Sequence, residues 1–245
     1  MRIPRLHVDA PLSPDVRIEL PAQAAAHALR VLRLQPGDAV ILFNGDGHDY
    51  PARLVAGGAR EVAVHIETRV AATRESPLRI TLAQALARGE KMDWIVQKVV
   101  ELGVAAIVPL ATERSEVKLD DRRAAKRLEH WRAVMLAACE QSGRAVVPTI
   151  EAPQALDRWL ATLAPDNSET RLALHPGDGM RSRVLQPAPR TVTLAIGPEG
   201  GFGERDLAAL RAAGFANLSL GPRILRTETA GIAAIAALQA LYGDI

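Results

Sequence analysis

The 245-residue sequence has one cysteine, few aromatic residues and no long apolar run. The single cysteine, Cys139, excludes an intramolecular disulfide and a zinc site built from cysteines. Aromatic residues make up 3% of the chain, so extensive stacking of nucleic-acid bases on aromatic side chains is not expected. No apolar run reaches the roughly 18 residues of a membrane span, and no secretory signal pattern is found. We therefore expect a cytoplasmic protein with no membrane partner.

Motifs for metal and nucleotide chemistry are also missing. The six histidines are scattered along the chain and form no HExxH-like pair, so no catalytic metal is expected. Neither the GxGxxG dinucleotide fingerprint nor the GxxxxGK[ST] phosphate loop occurs. A nucleotide-dependent dehydrogenase would need the first of these motifs, so that interpretation has little support.

The composition is that of an ordinary globular protein, with 48% hydrophobic and 24% charged residues. Lysine and arginine total 30 against 28 acidic residues, and 26 of the basic residues are arginine. Arginine has a planar guanidinium group that binds phosphate through two parallel hydrogen bonds. The net charge of +2 alone leaves nucleic-acid binding open.

Residues 1–73 have the pattern of a small β-rich unit with one helix. Apolar residues recur at helical spacing over 21–34, and the Pro36-Gly37 pair ends that helix. The segment 44–47 contains two glycines and fits a hairpin turn. The β-rich runs are 38–43, 50–55 and 61–66. The pattern predicts a small barrel, an architecture common among RNA-binding modules.

Residues 76–245 show strands that alternate with helices, which predicts a mostly parallel α/β sheet. A polar stretch at 71–77 separates this region from the first. The predicted strands are 78–83, 105–110, 171–174, 191–196 and 216–220, and the predicted helices are 91–102, 122–141, 204–213 and 227–242.

Two loops that contain a Gly-Pro pair follow strands of this second region. The segment GPEGGFG occupies 197–203, and LGPRILRTETA occupies 220–230. Ligands bind beyond the carboxyl ends of parallel strands, and glycine lets the backbone approach a ligand closely. The two loops are therefore predicted to form one cleft for a flat ligand that contains adenine.

The second loop contains two arginines directly before a predicted helix. Arg223 and Arg226 oppose the helix dipole, which favours negative charge at a helix N-terminus. Such a local conflict is often functional. Thr227 is predicted to be the N-cap of this helix.

The GPEGGF and LGPRILRTETA segments resemble motifs of the SPOUT class of S-adenosylmethionine-dependent RNA methyltransferases. The closest resemblance is to the ribosomal RNA small subunit methyltransferase E family, which methylates N3 of a uridine in 16S rRNA. KMDWIVQK at 91–98 and EQSGR at 140–144 agree with this family, as does HALRVLR at 27–33. The resemblance covers nearly the whole chain in the right order.

The resemblance implies a PUA-like RNA-binding barrel over 1–73 and a SPOUT methyltransferase domain with a trefoil knot over 76–245. It also implies a homodimer, with 16S rRNA of the small ribosomal subunit as partner and S-adenosyl-L-methionine as methyl donor. The donor-binding positions that it implies are Leu174, His175, Gly197, Glu199, Gly200, Leu220, Gly221, Ile224, Leu225, Arg226 and Thr229.

Methylation of uridine N3 requires loss of its proton, so the enzyme must align the reactants and stabilise a developing anion. Our hypothesis assigns Arg226 to the uridine oxygen atoms, and Glu199 or Glu228 to the proton. Glu199 has an alternative role in orienting its loop, and Glu228 an alternative role in stabilising the helix dipole. Cys139 lies in an apolar helix and is interpreted as structural.

The predicted RNA-binding residues are basic side chains from both regions, and each has the alternative of being a solvated surface residue. They are Arg5, His27, Arg30, Arg33, Lys91, Lys98, Arg114 and Arg144. Arg30 and Arg33 would share one helix face if the predicted helix continues through both.

Two other functions remain open. The first is a ribose 2′-O-methyltransferase of the same superfamily, although its Asn-rich first motif with an arginine is not found here. The second is a non-catalytic RNA-binding protein that keeps the fold.

Overall fold

The computed structural model describes residues 3–57, 62–117, 120–164, 168–175, 180–181 and 187–245. The chain divides into two compact units. The first unit contains Met1–Glu75 and Leu136–Val147, and the second contains Ser76–Met135 and Pro148–Ile245. The sequence prediction assigned residues 136–147 to the second domain, whereas the structure groups them with the first.

The first unit is a sheet of short strands with one short helix, α1, at Ala22–Ala26, and it also contains the end of a longer helix at residues 136–142. Its strands pair in the order β1-β3-β4-β5-β2, with β6 paired to β4. Only the β1–β3 pair is parallel among these described pairings. The strands are β1 Arg5–His7, β2 Arg17–Glu19, β3 Ala39–Phe43, β4 His48–Gly57, β5 Val62–Ile66 and β6 Val70–Ala71.

The β3–β4 hairpin follows the sequence prediction. Gly45 and Gly47 in its turn have φ angles of +91° and +86°, which residues other than glycine rarely adopt. The predicted third β-rich run begins at residue 61, which lies outside the described residues. Strands of three residues such as β1 and β2 are too short to show the alternation of apolar and polar residues, so the sequence did not predict them.

The helix of the first unit ends earlier than predicted. After α1 the chain forms one π-helical turn at His27–Val31 and then leaves the helix. Arg33 has a φ angle of +55°, so it lies beyond the helical segment in a left-handed conformation. The prediction that Arg30 and Arg33 share one helix face is therefore wrong.

One apolar core fills the first unit. Leu6, Leu42 and Val64 have no exposed surface, and they come from three different strands. Ala28, next to α1, joins the same cluster. This core is what the predicted small barrel requires, while closure of the strands into a ring stays a prediction.

The second unit is a parallel sheet in the order β10-β8-β7-β13-β11-β14-β12, with β9 paired to β8. Its strands are β7 Arg79–Ala85, β8 Ala106–Ala111, β9 Thr149–Ile150, β10 Gln154–Ala155, β11 Glu169–Leu174, β12 Met180–Arg181, β13 Thr191–Ile196 and β14 Ala216–Ser219. Its helices are α2 Lys91–Glu101, α4 Leu156–Leu160, α5 Glu204–Ala212 and α6 Thr227–Tyr242, and α3 Asp121–Ser142 begins in this unit. The mostly parallel α/β sheet is thus confirmed.

Helices cover both faces of this sheet. On one face α6 packs against α2, β7 and β13. On the other, α4 and α5 bury a cluster that includes Trp159, Ala195 and Phe215. Because side chains alternate along a strand, β13 turns Leu194 and Ile196 away from Ala195. The strand is therefore buried on both faces, as expected for the centre of a parallel sheet.

The core-facing stripe of α2 explains why its sequence forms a helix. Met92, Ile95, Val96, Val99 and Val100 recur at helical spacing, and all are buried. The predicted bounds of β13 and α6 agree with the structure. No helix within the described residues has both the length and the apolar character of a membrane span.

Candidate active site

A cavity of about 840 Å³ lies at the carboxyl ends of β11, β13 and β14 in the second unit. Both Gly-Pro loops predicted from the sequence contribute to its wall. Ten of the eleven predicted donor-binding residues line it: Leu174, His175, Gly197, Glu199, Gly200, Leu220, Gly221, Ile224, Leu225 and Arg226. Thr229 is not part of the lining formed by the described residues. It is exposed, and its N–H donates to the Arg226 carbonyl over 2.9 Å.

The loop after β13, residues 197–203, has a shape that only glycine permits at its first position. A Cβ atom on Gly197 would lie 2.9 Å from the Phe202 nitrogen and 3.0 Å from the Gly201 carbonyl carbon. Gly201 has a φ angle of +68°, and its N–H donates to the Pro198 carbonyl over 2.8 Å. We call residues 197–203 the donor loop. Its backbone folds back tightly on itself and lines the cavity.

Two basic side chains hold the donor loop in this shape. The Lys91 ammonium donates to Glu199 Oε1 over 2.8 Å, and the backbone N–H of Arg88 donates to the same oxygen over 3.1 Å. Arg114 donates from Nη1 to the Gly200 carbonyl over 2.9 Å. Lys91 and Arg114 were predicted to bind RNA, but the structure uses both to secure this loop.

The charge state of Glu199 follows from these contacts. Burial favours a higher pKa for Glu199, but the hydrogen bonds from Lys91 and Arg88 outweigh it and the pKa lies below its usual value. The hydrogen bond to Glu199 is the main reason why the pKa of Lys91 is raised. Glu199 is therefore a poor proton acceptor, and its alternative role in orienting the loop fits the geometry better.

Glu228 lies on the other side of Lys91, in the first turn of α6. Its Oε2 atom is 3.6 Å from the Lys91 ammonium. This oxygen is buried and has no hydrogen-bond partner among the described residues. Glu228 does not belong to the described cavity wall, whose only carboxylate is that of Glu199.

Thr227 links the two loops of the cavity. Its hydroxyl donates to the Gly197 carbonyl over 2.6 Å and accepts from the Gln84 side-chain amide over 3.0 Å. Both Gln84 and Thr227 are buried. The prediction that Thr227 caps α6 is wrong, since Arg226 occupies the N-cap position and Thr227 is the first helical residue.

The loop after β14, residues 220–226, is largely exposed, in contrast to the donor loop, which Lys91 and Arg114 hold in place. We call it the arginine loop. Gly221 has a φ angle of +123°, and Ile224 is 83% exposed. Arg223 and Arg226 are exposed and line the cavity. Neither guanidinium group has a hydrogen bond or ion pair with any residue that the structure describes.

Two of the predicted RNA-binding residues are buried in the first unit. Arg5 lies 2.8 Å from the Asp49 carboxylate and donates to the Arg144 carbonyl. Arg144 donates to Glu75 Oε2 over 2.7 Å and 3.1 Å. Guanidinium groups that are buried and paired within the unit are inaccessible to a phosphate. This burial removes Arg5 and Arg144 from the predicted RNA-binding set.

The remaining predicted RNA-binding residues are more accessible. His27 is half-buried at the start of the π-helical turn, and Arg30 and Arg33 are exposed. Lys98 is half-buried on α2, where its ammonium pairs with Glu101 over 2.9 Å and lies 4.9 Å from the Trp94 ring centre.

Cys139 is fully buried, and burial raises the pKa of its thiol to about 12. A thiol with this pKa stays protonated and is not a nucleophile at neutral pH. Within the described ranges, no group of three histidine, cysteine or carboxylate side chains is arranged to hold a metal ion.

Sequence reasoning missed the residues that support the site. Asp206 is buried in α5 and accepts the N–H groups of Gly203 and Glu113, each over 3.1 Å. An acidic residue three positions after a helix N-cap is a known signal for the Gly203 contact. Gln84 gave no such signal, because its contact with Thr227 joins residues 143 positions apart.

Comparison with known protein families agrees with this architecture. An RNA methyltransferase domain matches residues 74–239, and an RNA methyltransferase PUA domain matches residues 20–67. The ribosomal RNA small subunit methyltransferase E of Buchnera aphidicola subsp. Schizaphis graminum is 33% identical over 244 residues, which cover 100% of this chain and 98% of that protein. The protein of the same name from Bacillus subtilis is 31% identical, with 89% of each chain covered.

Two solved structures resemble this chain over its whole length, and both contain bound S-adenosylmethionine. The ribosomal RNA small subunit methyltransferase E from Neisseria gonorrhoeae, bound to S-adenosyl methionine, is 38% identical with a TM-score of 0.92 over 100% of both chains. A structure from Legionella pneumophila that contains the bound cofactor SAM is 40% identical, with a TM-score of 0.95 over 100% of both chains.

Proposed function

Since this chain belongs to the ribosomal RNA small subunit methyltransferase E family, we propose that it methylates N3 of a uridine in 16S rRNA. It is an S-adenosylmethionine-dependent rRNA methyltransferase with an N-terminal PUA-like domain. The observation that carries the proposal is the cavity between the donor loop and the arginine loop. It combines a tight backbone wall with two guanidinium groups that have no partner among the described residues.

The residues of the cavity fit the methyl donor. Backbone groups of Gly197, Gly200 and Gly221 can lie close to a ligand because no side chain intervenes. Leu220 and Leu225 supply apolar surface for a purine ring. When bound, S-adenosylmethionine supplies a methyl group on a sulfonium, which is already an excellent leaving group. The protein therefore needs to orient its substrates, and it needs no covalent nucleophile.

Arg226 is proposed to stabilise negative charge on the uridine oxygen atoms. Its guanidinium group is exposed at the cavity and has no competing partner in the described part of the chain. A cationic hydrogen-bond donor that contacts a developing anion lowers the activation barrier for forming it. We assign Arg226 the main catalytic role on this basis.

Of the two carboxylates predicted to accept the N3 proton, Glu228 is the better candidate. Glu199 has a lowered pKa and is held by Lys91 and Arg88. Glu228 lies farther from the Lys91 ammonium, at 3.6 Å, and its buried Oε2 has no hydrogen-bond partner among the described residues. Because Glu228 lies outside the cavity wall, a water molecule would have to carry the proton to it.

We propose that the first unit binds RNA through the accessible members of the predicted set. His27, Arg30 and Arg33 lie close together in sequence and are at least partly exposed. The match to an RNA methyltransferase PUA domain, which includes these residues, supports this role.

A homodimer is proposed because α6 is apolar around most of its circumference between Ala230 and Leu241. Ala and Leu dominate its sequence, and Leu241 is 43% exposed. A helix that is apolar all round is normally buried, and a second copy of the chain would cover its outer face. Light scattering tests this proposal.

The trefoil knot implied by the resemblance is also proposed for 76–245. The knot requires the chain to return across the sheet after β14, and it does so: β14 pairs with β11, whereas the following helix α6 packs against β7 and β13. A crystal structure traced through this whole region tests it. We propose a cytoplasmic location, where the small ribosomal subunit is found.

The central experiment uses labelled S-adenosylmethionine with unmodified small ribosomal subunits and, separately, with naked 16S rRNA. The product is digested to nucleosides and identified by mass spectrometry. We expect 3-methyluridine. A 2′-O-methyl nucleoside would instead establish the ribose methyltransferase, and absence of both transfer and donor binding would indicate a non-catalytic RNA-binding protein.

A further inference from the structure

The basic side chains around the cavity differ in what they contact. Lys91 and Arg114 bind groups of the donor loop, at Glu199 and at the Gly200 carbonyl. Arg223 and Arg226 also line the cavity, but each is exposed and neither has a hydrogen bond or ion pair within the described ranges. The cavity thus has two arginines whose positive charge is not paired with any carboxylate of the described residues.

These arginines do not stabilise the helix that follows them. Positive charge at a helix N-terminus opposes the helix dipole, so Arg226, the N-cap residue, carries a small energetic cost. Arg223 lies three residues earlier and has no hydrogen bond or ion pair with a described residue of the helix. Replacement of an exposed arginine that has no partner also changes the stability of a protein little. Their presence in the cavity wall is better explained by an anionic ligand than by folding.

We propose that Arg223 binds a backbone phosphate of the RNA substrate at the mouth of the cavity. This inference rests on the proposed function, in which Arg226 contacts the base of the target uridine. The guanidinium group of arginine matches a phosphate through two charge-assisted hydrogen bonds. Glu199, the only carboxylate in the described cavity wall, is held by Lys91 and does not compete.

The position of Arg223 favours RNA over the other anion that would be present, the carboxylate of the methyl donor. Arg223 is exposed, and Ile224 beside it is 83% exposed. This part of the arginine loop therefore faces solvent, the side from which a macromolecule approaches. The backbone wall of the donor loop, by contrast, is buried at Gly197 and Pro198.

The test measures RNA and donor affinity separately for Arg223→Gln. RNA binding is measured on 16S rRNA over a series of salt concentrations, and S-adenosylmethionine binding is measured by calorimetry. Loss of one phosphate contact should weaken RNA binding about tenfold at low salt. It should also reduce the slope of log affinity against log salt by about 0.7 to 0.9. Donor affinity should stay within about twofold.

Two further variants sharpen the test. Arg223→Lys keeps the charge but not the two-pronged geometry, so the salt slope should be retained while affinity falls a few-fold. Arg211→Gln is the matched control, because Arg211 is an exposed arginine of the same unit that does not line the cavity. Its RNA affinity and salt slope should equal those of the wild type.

An unchanged salt slope in Arg223→Gln overturns the proposal. A loss of donor affinity as large as the loss of RNA affinity also overturns it, and assigns Arg223 to the donor carboxylate. The proposed function fails separately, if the wild type binds RNA but transfers no methyl group. In that case the salt series still reports on Arg223.

Discussion

Arg144 and Arg226 are both arginines next to a helix end, but the structure gives them opposite environments. Arg144, two residues after α3, is buried with its guanidinium group on Glu75. Arg226, at the start of α6, is exposed beside the cavity with no partner in the described part of the chain. Paired cations shape the protein, whereas unpaired cations are available to a ligand. The following predictions test this distinction.

The largest effect is expected on folding, from Arg144→Met. Removal of one member of a buried ion pair typically costs about 3 to 5 kcal/mol of unfolding free energy, and the 25% exposure of the Glu75 side chain places the expected loss at the lower end of that range. Denaturant unfolding measures the change. The control is Arg53→Met, whose exposed pair with Glu67 should contribute at most about 1 kcal/mol. Equal losses in the two variants would contradict the distinction.

Arg226→Gln should act on turnover and not on folding. Loss of one donor that stabilises a developing anion lowers kcat by about 10² to 10³. Single-turnover transfer from labelled S-adenosylmethionine measures this, and calorimetry measures donor affinity. If donor affinity falls as much as turnover, the assigned role of Arg226 is wrong.

Gly197→Ala tests whether the donor loop must keep its shape. The added methyl group would meet backbone atoms at 2.9 to 3.2 Å, so the loop must move, at a cost of about 1 to 3 kcal/mol. We expect donor affinity to fall at least about fivefold. Gly200→Ala is the control in the same loop, because its new methyl group would meet Arg114 at an ordinary 3.5 Å. Similar affinities for the two variants would show that the loop is flexible.

Lys91→Met should have the smallest effect, because the pair with Glu199 is partly exposed. We expect donor affinity to fall about fivefold, which corresponds to about 1 kcal/mol. Lys98→Met is the matched control on the same helix, since Lys98 pairs with Glu101 and does not line the cavity. A larger effect of Lys98→Met would contradict the role given to Lys91.

The same variant has a defined pH dependence. The pKa of Glu199 is lowered and that of Lys91 is raised, so the pair is charged throughout pH 5 to 9. Its contribution is lost as pH falls through the lowered pKa of Glu199, or as pH rises through the raised pKa of Lys91. In Lys91→Met the pKa of Glu199 moves up towards its usual value. As the pH is lowered, donor binding by Lys91→Met should therefore begin to weaken at a higher pH than donor binding by the wild type.

The sequence predicted the long elements well and the short ones poorly. The bounds predicted for β13 and α6 match the structure, because a continuous apolar run and a long alanine-rich helix are strong local signals. The five-residue helix α4 and the two-residue strands have no such signal. They depend instead on tertiary contacts, since the two-residue strands β9 and β10 both pair with β8, and α4 packs against α5 and β10.

The cavity wall was predictable because glycine and proline mark loops by their own backbone preferences. The partners of charged residues were not, since pairing depends on contacts distant in sequence. Arg5 pairs with Asp49, and Arg144 pairs with a carboxylate 69 positions away. Thr227 was assigned as a helix cap from local preference, but a hydroxyl contact with Gly197 prevails.

The hydroxyl of Thr227 also has a consequence for which parts of the complex move on binding. Through Gly197 and Gln84 it ties the donor loop and the start of α6 to the sheet. A backbone wall that is held by contacts within the protein loses little conformational entropy on binding, so the methyl donor should meet a nearly rigid donor loop. We therefore expect the larger rearrangements to fall on the arginine loop and on the RNA, whose target base would leave its stack to reach the cavity.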